Sequence, residues 1–417
     1  MSARTAPAHR PATRVARRAT HRARLAWTGA LAAAALASTA LAGPAVANAP
    51  AEGSGPGAAA SAVRDAGAPH AATQRALDAA VADGVPGVLA RVTTRTGAWS
   101  GTAGVGDTAT GRERGARDHF RVGSVTKTFV STVLLQLEAE GRLDLDDTVD
   151  HWLPGVVSGN GHDGRRVTLR QLLNHTSGVY SYTADPGFQQ KVFTTDFLKN
   201  RYRTWQPGEL VALAMGHAPD FAPGTDWNYS NTNYVLAGMV VEKVTGRPYA
   251  TEIERRILRP LHLTGTRLPG TDPRLPRPSG RAYAVLADDP ERTVHDVTEL
   301  NATVAGAAGS MISDAADLNR FFGALLTGRL LPPAQLKEMK TTVALGSGED
   351  GGVVGYGLGL EKTRLSCGTV VWGHTGGIHG SSSGAFTTAD GTHALSLNFN
   401  ADWAGDPATV VEAEFCG

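Results

Sequence analysis

Residues 120–127 read FRVGSVTK and open a long segment with a helical hydrophobic pattern. Apolar residues recur there at three- and four-residue spacing, and Gly141 follows, so we predict a helix over 125–140 that ends at a glycine. Ser124, at the start of this helix, would share a face with Lys127 one turn later. The two residues are a candidate nucleophile and base, although a capping serine followed by a surface lysine gives the same pattern.

The proposed chemistry requires a neutral lysine, because only an uncharged amine can accept the proton of the serine hydroxyl. Burial of Lys127 among the apolar residues of the helix would favour its uncharged form. The N-terminus of the helix would also stabilise negative charge that develops near Ser124.

Two further short motifs could face the serine. Tyr229-Ser230-Asn231 opens a predicted helix, where the tyrosine could relay a proton and the asparagine could hold a substrate amide; alone, it is a loop with a helix cap. The second motif, HTGG at residues 374–377, ends an apolar strand, and alone it is a strand end with a tight turn. The backbone amides of Ser124 and Gly377 could together form an oxyanion hole.

Strand patterns lie at both ends of the chain, and the region between them reads mainly as helices and long loops. The economical arrangement is an α/β (α+β) fold, in which the terminal strands form one antiparallel sheet flanked by helices. An all-helical lobe at about 142–345 would be inserted between the strands, within one hydrolase domain over 71–417. The predicted helices are 71–82, 125–140, 168–174, 231–245, 315–326 and 332–339, and the predicted strands are 87–95, 99–104, 355–360, 369–373, 383–388 and 393–398.

The three motifs together resemble the ordered signature of the penicillin-binding protein and class C β-lactamase superfamily. Tyr-x-Asn follows Ser-x-x-Lys after about 105 residues, and His-Thr-Gly follows after about 145 more. The segments LRQLLNHTSG at 169–178 and GYGLGL at 355–360 are also similar, and the resemblance covers about residues 85–417. It is strongest to secreted actinomycete D-alanyl-D-alanine carboxypeptidases.

The resemblance implies a serine hydrolase that acts on peptidoglycan stem peptides through an acyl-enzyme and is acylated by β-lactams. Ser124 would attack the peptide carbonyl, Lys127 would accept its proton, and Tyr229 would protonate the departing D-alanine and later activate water. His374, the fourth catalytic candidate, would lie beside the Tyr229 and Lys127 pair. The remaining implied role is substrate binding by Asn231, Thr375, Gly376 and Gly377.

Three positions depart from the carboxypeptidase pattern. Glu361 aligns with an arginine that grips the terminal carboxylate of the substrate, and a glutamate would repel that group. Gly377 replaces a threonine, and Val304 aligns with a tryptophan of the cleft. These departures leave a D-aminopeptidase, an esterase or a β-lactamase of the same fold as alternatives. A sensor that β-lactams acylate without turnover is an alternative of another class.

The N-terminus has the layout of a secretory signal peptide over residues 1–47. Seven arginines and no acid lie in residues 1–24, an apolar run follows at 25–41, and a small-residue site stands at 45–47. A membrane anchor is the alternative, but the run is short for a spanning helix of about 20 residues. We therefore expect cleavage, a flexible leader at 48–70, and a secreted protein without a stable membrane span.

Charge and composition exclude some classes of binding partner. Without the seven arginines of its first 24 residues, the chain carries 33 basic and 39 acidic residues, a net charge of −6, so nucleic-acid binding is not expected. The histidines lack metal-ligand spacing, and we expect no metal or other cofactor. The GSSSG run at 380–384 fits the nucleophile elbow of α/β-hydrolases, but strand residues follow it, which favours coincidence. We expect a monomer.

Two cysteines, Cys367 and Cys416, complete the set of candidate residues. In an exported protein such a pair favours a disulfide, with two buried thiols as the alternative. The resemblance supports the disulfide, because the related carboxypeptidase also has Ser-Cys-Gly before His-Thr-Gly and Phe-Cys-Gly near its end.

Overall fold

The computed structural model describes residues 69–346 and 352–417. The predicted signal peptide at 1–47 and the predicted leader up to residue 68 lie outside these described residues.

A nine-stranded antiparallel sheet joins the two ends of the described chain. Its strand order is β10-β11-β12-β13-β14-β15-β1-β2-β3, so the first and last long strands are neighbours, and Val88 lies opposite Phe399. This confirms the predicted pairing of the terminal strands. The strands are β1 Gly87–Thr94, β2 Gly97–Asp107, β3 Arg112–Glu113, β4 Phe120–Arg121, β5 Ser158–Gly159, β6 His162–Asp163, β7 Tyr283–Val285, β8 Val294–Asp296, β9 Ile312–Ser313, β10 Val343–Ala344, β11 Gly352–Tyr356, β12 Glu361–Arg364, β13 Val370–Ile378, β14 Ser381–Thr388 and β15 Ala394–Phe399.

All six predicted helices are present, and their ends follow the expected capping chemistry. Thr168 and Gln171 form a reciprocal capping box, and Gly246 ends its helix in the left-handed conformation. The helices are α1 Ala71–Ala82, α2 Thr126–Ala139, α3 Val149–Trp152, α4 Leu169–Leu173, α5 Pro186–Val192, α6 Phe197–Asn200, α7 Pro207–Met215, α8 Asn231–Thr245, α9 Tyr249–Ile253, α10 Ala315–Leu326, α11 Pro333–Met339 and α12 Pro407–Cys416.

Alternation along β1 divides the core into two layers. Val88 and Val92 pack in one hydrophobic cluster with α1 and α12, and Leu89 belongs to the larger cluster that contains Phe321 of α10. Successive strand residues point to opposite faces, so the sheet has helices on both faces. The boundary of a helical lobe at about 142–345 stays a prediction. That range is not all-helical as predicted, because the short strands β5 to β10 lie within it, and its helix α10 packs against the sheet.

Two strand boundaries were wrong. The predicted strand 355–360 ends at Tyr356, because the Gly357 N–H bonds to the Leu360 carbonyl and Gly359 has φ +69°, which makes a turn. The predicted strand 369–373 continues to Ile378, so the HTGG motif lies inside β13. The GSSSG run enters strand β14, without the helix that a nucleophile elbow requires.

The C-terminal helix α12 was not predicted, although Asp406 and Pro407 form a helix-start signature. The Asp406 side chain accepts a hydrogen bond from the Ala408 N–H. A disulfide between Cys367 and Cys416, with Cα atoms 5.7 Å apart, fastens this helix to the β12–β13 turn and confirms the predicted pairing. Within the two described ranges, no helix combines the length and apolar character needed to cross a membrane.

Candidate active site

Ser124 lies in a 3₁₀ turn, Gly123–Val125, directly before α2. The Thr126 hydroxyl donates to the Gly123 carbonyl at 2.7 Å and accepts from the Met311 N–H at 3.2 Å, which fixes the turn. Gly123 has φ +51°, and a Cβ there would stand 2.7 Å from the Gly377 nitrogen. Only glycine allows this approach, and it brings the turn that carries Ser124 against β13.

Lys127 is completely buried, and three groups surround its Nζ atom. Nζ lies 3.0 Å from Ser124 Oγ, 2.8 Å from Asn231 Oδ1 and 2.7 Å from the Ala308 carbonyl oxygen. Burial lowers the pKa of Lys127 well below 10.5, and the negative charge of Glu361 opposes that shift without cancelling it. A neutral amine has two hydrogens for the two carbonyl-type acceptors and one lone pair for the serine hydroxyl. The site can therefore hold Lys127 as a base.

Tyr229 borders the same serine. Its hydroxyl interacts with the Ser124 side chain, and Lys127 Nζ lies 4.8 Å from the centre of its ring. Burial raises the pKa of Tyr229 well above 10. The phenol therefore keeps its proton at neutral pH and is suited to donate it.

Asn231 begins α8 and faces Lys127 across the cleft. Its Oδ1 accepts from Lys127, and its Nδ2 lies 3.3 Å from Thr183 Oγ1. The Ser181 hydroxyl accepts the Asn231 backbone N–H at 3.1 Å and holds the helix start in place. The remaining Nδ2 hydrogen can meet a substrate carbonyl, which agrees with the predicted binding role.

On the opposite wall, Glu361 of β12 is bound to Thr375 of β13. One carboxylate oxygen accepts the Thr375 N–H at 3.1 Å, and the other accepts its hydroxyl at 2.8 Å. The glutamate is 6% exposed, and burial raises its pKa to about 7 against the opposing effect of these bonds and of Lys127. A single buried carboxylate thus occupies the N–H and the hydroxyl of Thr375, one of the four residues that the resemblance assigned to substrate binding.

His374 is an anchored and neutral residue in this structure. Burial lowers its pKa to about 3, and its Nε2 lies 2.8 Å from the Tyr356 hydroxyl. Its Nδ1 is 2.5 Å from the Thr375 carbonyl oxygen and 3.4 Å from Glu361 Oε1. A neutral ring donates from Nδ1 to the closer carbonyl, so the approach to Glu361 is not an ion pair. His374 is placed to orient the wall of the cleft and not to act as a base.

Strand geometry places the Gly377 amide in the cleft. The Thr375 N–H points to the β12 side, where it meets Glu361, and residues two apart in a strand point their N–H groups the same way. Gly377 also lines a cavity together with Ser124, so their two amides can share one substrate oxygen. A Cβ on Gly376 would stand 2.0 Å from the Val122 carbonyl oxygen, and this glycine therefore serves close packing.

The cavity beside Ser124 has an apolar lining. Its volume is about 60 Å³, and no Asp, Glu, Lys or Arg among the described residues lines it. His379, which closes one side, is kept neutral because burial lowers its pKa to about 4, and its Nε2 contacts the Val192 carbonyl at 2.6 Å. The side chains that give the cavity its apolar character are Tyr182, Phe188, Val192, Phe193, Val304 and Ile378.

Sequence reasoning brought most of this group together but missed three partners. The Ala308 carbonyl leaves no trace in a sequence, because any residue carries a backbone oxygen. Tyr356 stands in the GYGLGL segment and His175 in the LRQLLNHTSG segment, and both segments served the resemblance without a role for either residue. Tyr356 bonds to His374, and the His175 ring lies against Tyr229. In each case the contact joins two separate elements, so a local pattern does not show it.

These features define a serine hydrolase of the β-lactamase fold. The Beta-lactamase family model matches residues 46–405, and the chain belongs to that family. The resemblance to the penicillin-binding protein and β-lactamase superfamily is thereby confirmed.

Named relatives fall into two groups. Penicillin-binding protein 4* of Bacillus subtilis (strain 168) is 30% identical over 272 residues, which cover 63% of this chain and 56% of that protein. A D-stereospecific amidohydrolase from Streptomyces sp. is 62% identical with a TM-score of 0.80, over 84% of this chain and 99% of that one. D-amino acid amidase from Ochrobactrum anthropi SV3 is 30% identical with a TM-score of 0.70, over 82% and 97%. The match spans about half the length of the first curated relative and less of the next.

Proposed function

We propose that this chain is a serine amidohydrolase that cleaves amides of D-amino acids or short D-peptides lacking a terminal carboxylate. The observation that carries the proposal is Glu361, a buried carboxylate bound to Thr375 at the leaving-group end of the cleft. The similarity to a D-stereospecific amidohydrolase and a D-amino acid amidase supports the same substrate class.

Glu361 disfavours the carboxypeptidase reaction that the resemblance implied. Two like unit charges 4 Å apart repel by about 4 kcal/mol at an effective dielectric constant of about 20. An amide leaving group such as ammonia or an uncharged amine avoids that repulsion. Because the pKa of Glu361 is about 7, the discrimination should be strongest above neutral pH and weaker below it.

Acylation uses the groups already described. Ser124 Oγ bonds to the substrate carbonyl carbon while its proton passes to the neutral Lys127 amine, and the carbonyl oxygen becomes an oxyanion held by the Ser124 and Gly377 amides. The C–N bond then breaks as Tyr229 donates its proton to the leaving nitrogen. Lys127 then returns the serine proton to Tyr229, so that both groups regain their starting forms. In the second half, water attacks the ester carbonyl carbon while its proton passes to Lys127, and Lys127 gives that proton to Ser124 Oγ as the C–O bond to the serine breaks. The acid is released and Ser124 is restored.

The apolar cavity supplies binding energy on the acyl side. About 60 Å³ holds roughly four water molecules at about 15 Å³ each, or the end of a branched or aromatic side chain. Each methylene buried there contributes about 0.8 kcal/mol. We therefore expect D-phenylalanine or D-leucine amides to be better substrates than D-alanine amide.

A matched substrate pair tests the proposal. N-acyl-D-Ala-D-Ala and its C-terminal carboxamide differ only in the charge of the leaving group, and D- and L-phenylalanine amides report the stereochemistry. We expect the carboxamide to exceed the acid in kcat/KM by at least tenfold at pH 8, with the ratio shrinking at pH 6. Preference for the free acid at pH 8 would establish the carboxypeptidase instead. Stable β-lactam labelling without any turnover would establish the sensor, with Ser124→Ala as the unlabelled control.

A further inference from the structure

His175 adopts an unusual backbone conformation next to the catalytic group. It follows α4 with φ +63°, a left-handed region that residues other than glycine rarely adopt. Its side chain is 0% exposed. A buried residue stays in this conformation only when the groups around it hold it there.

Those contacts converge on the Tyr229-Ser230-Asn231 motif. His175 Nδ1 accepts the Ser230 N–H at 3.2 Å and lies 3.2 Å from Asn233 Nδ2. The centre of its ring lies 4.2 Å from the centre of the Tyr229 ring. The histidine thus contacts the catalytic tyrosine directly and also holds the backbone that follows it.

The protonation of His175 follows from these bonds. Because Nδ1 accepts a backbone N–H, the ring proton resides on Nε2, which has no hydrogen-bond partner among the described residues. Burial lowers the pKa of His175 well below 6.5, so the ring stays neutral. A charged ring would lose both contacts at Nδ1, since that atom would become a donor.

We propose that His175 is a positioning residue that holds the Tyr229 hydroxyl where it can protonate the leaving nitrogen. It acts through Tyr229 and makes no contact with the substrate. The inference rests on the acyl-enzyme mechanism of the proposed function. It adds a residue that the three motifs do not contain.

The proposal predicts a dependence on the leaving group. An amide nitrogen has to be protonated before it can depart, whereas p-nitrophenolate leaves as an anion. Misplacing Tyr229 should therefore slow amide cleavage and spare cleavage of a p-nitrophenyl ester. A general loss of structure would slow both reactions alike.

His175→Asn separates these cases, because asparagine tolerates the left-handed conformation and can still accept the Ser230 N–H, yet lacks the ring. We expect kcat for the amide to fall 30- to 100-fold with KM within twofold, and kcat for p-nitrophenyl butyrate to stay within threefold. Tyr229→Phe should show the same selectivity, and adding His175→Asn to it should cost less than a further twofold. Equal losses on both substrates, or additive losses in the double variant, would overturn the proposal.

His217→Asn is the matched control. His217 also stacks on a tyrosine, with ring centres 4.2 Å apart from Tyr180, and bonds to Asp185 away from Ser124. It should leave both substrates within twofold, and thermal unfolding should show all variants folded. The amide is whichever of D-phenylalanine amide and N-acyl-D-Ala-D-Ala the wild-type enzyme cleaves. A failed assignment of substrate class therefore leaves this test intact.

Discussion

The catalytic centre and the C-terminal clamp both bury a charged group, with opposite results. The C-terminal clamp consists of Glu414 on α12 with His70, Thr73 and His393. Glu414 accepts hydrogen bonds at 3.0 Å from His70, 2.5 Å from Thr73 and 2.7 Å from His393. Its pKa is lowered although burial alone would raise it.

Lys127 is buried at least as deeply, yet its charged form is disfavoured. Burial outweighs the attraction of Glu361, and the lysine pKa falls well below its ordinary value. The comparison shows that burial alone does not decide whether a side chain keeps its charge. The charged and hydrogen-bonding groups around it decide this. A fully bonded carboxylate stabilises the fold, and an under-compensated amine becomes reactive.

Removal of the Lys127 amine should have the largest effect, and the effect should be on kcat. Lys127→Met keeps the apolar stem and should lower kcat by at least a thousandfold, because Ser124 loses its base. The melting temperature should stay the same or rise, since a buried amine is removed. Lys199→Met, at an exposed lysine paired with Asp196, is the control for both measurements. Residual activity above about one hundredth would place the base elsewhere.

The second-largest effect is expected from removal of the disulfide that holds the C-terminal helix. The Cys367–Cys416 disulfide closes a loop of 49 residues, worth about 4 kcal/mol in the chain-entropy model. Replacing both cysteines with serine should lower the free energy of unfolding by a comparable amount in urea titrations. The kcat should be unchanged, because this bond is remote from Ser124. A large fall in kcat under folding conditions would contradict the separation of the two regions.

The third prediction concerns Glu361, whose negative charge should lower the stability of the folded protein because its neighbours do not fully compensate its burial. Its pKa rises from 4.5 to about 7 on folding, so the native state binds the extra proton between these values. Stability is therefore lost as pH rises from 4.5 to 7, by up to about 3 kcal/mol at 1.36 kcal/mol per pH unit. Glu361→Gln should be 1–3 kcal/mol more stable than wild type at pH 8, with no gain at pH 4, by roughly the same relation. An equal difference at both pH values would disprove the shift.

For Glu414 we expect the opposite pH dependence of stability, and the smallest change in the free energy of unfolding. Its folded pKa lies below 4.5, so its stabilisation is present above the unfolded pKa and disappears as pH falls through the folded one. Glu414→Gln should lose about 1–2 kcal/mol at pH 7 in urea unfolding and less at pH 3. Glu412→Gln, on the same helix but more exposed, should lose less. A Glu414 variant as stable as wild type at pH 7 would remove the contrast between the two regions.

Local sequence patterns were sufficient for six of the twelve described helices and for the six longest strands of the sheet or parts of them. The helix after Ser124 was found to within a residue, because its spacing and its terminal glycine are local signals. The end of β13 was missed, because Gly376 and Gly377 look like a turn until Val122 and Gly123 pack against them. The helix α12 was missed because only a cap signal after the last strand marks it.

The sequence by itself identified Ser124, Lys127 and Tyr229 as catalytic candidates, from their order and spacing. It also showed that Glu361 departs from the carboxypeptidase pattern. Only the tertiary structure decided that burial lowers the pKa of Lys127 and that Glu361 is bound to Thr375. The reason is physical, because desolvation and contacts across strands depend on which distant residues pack together, and a linear pattern does not contain that information.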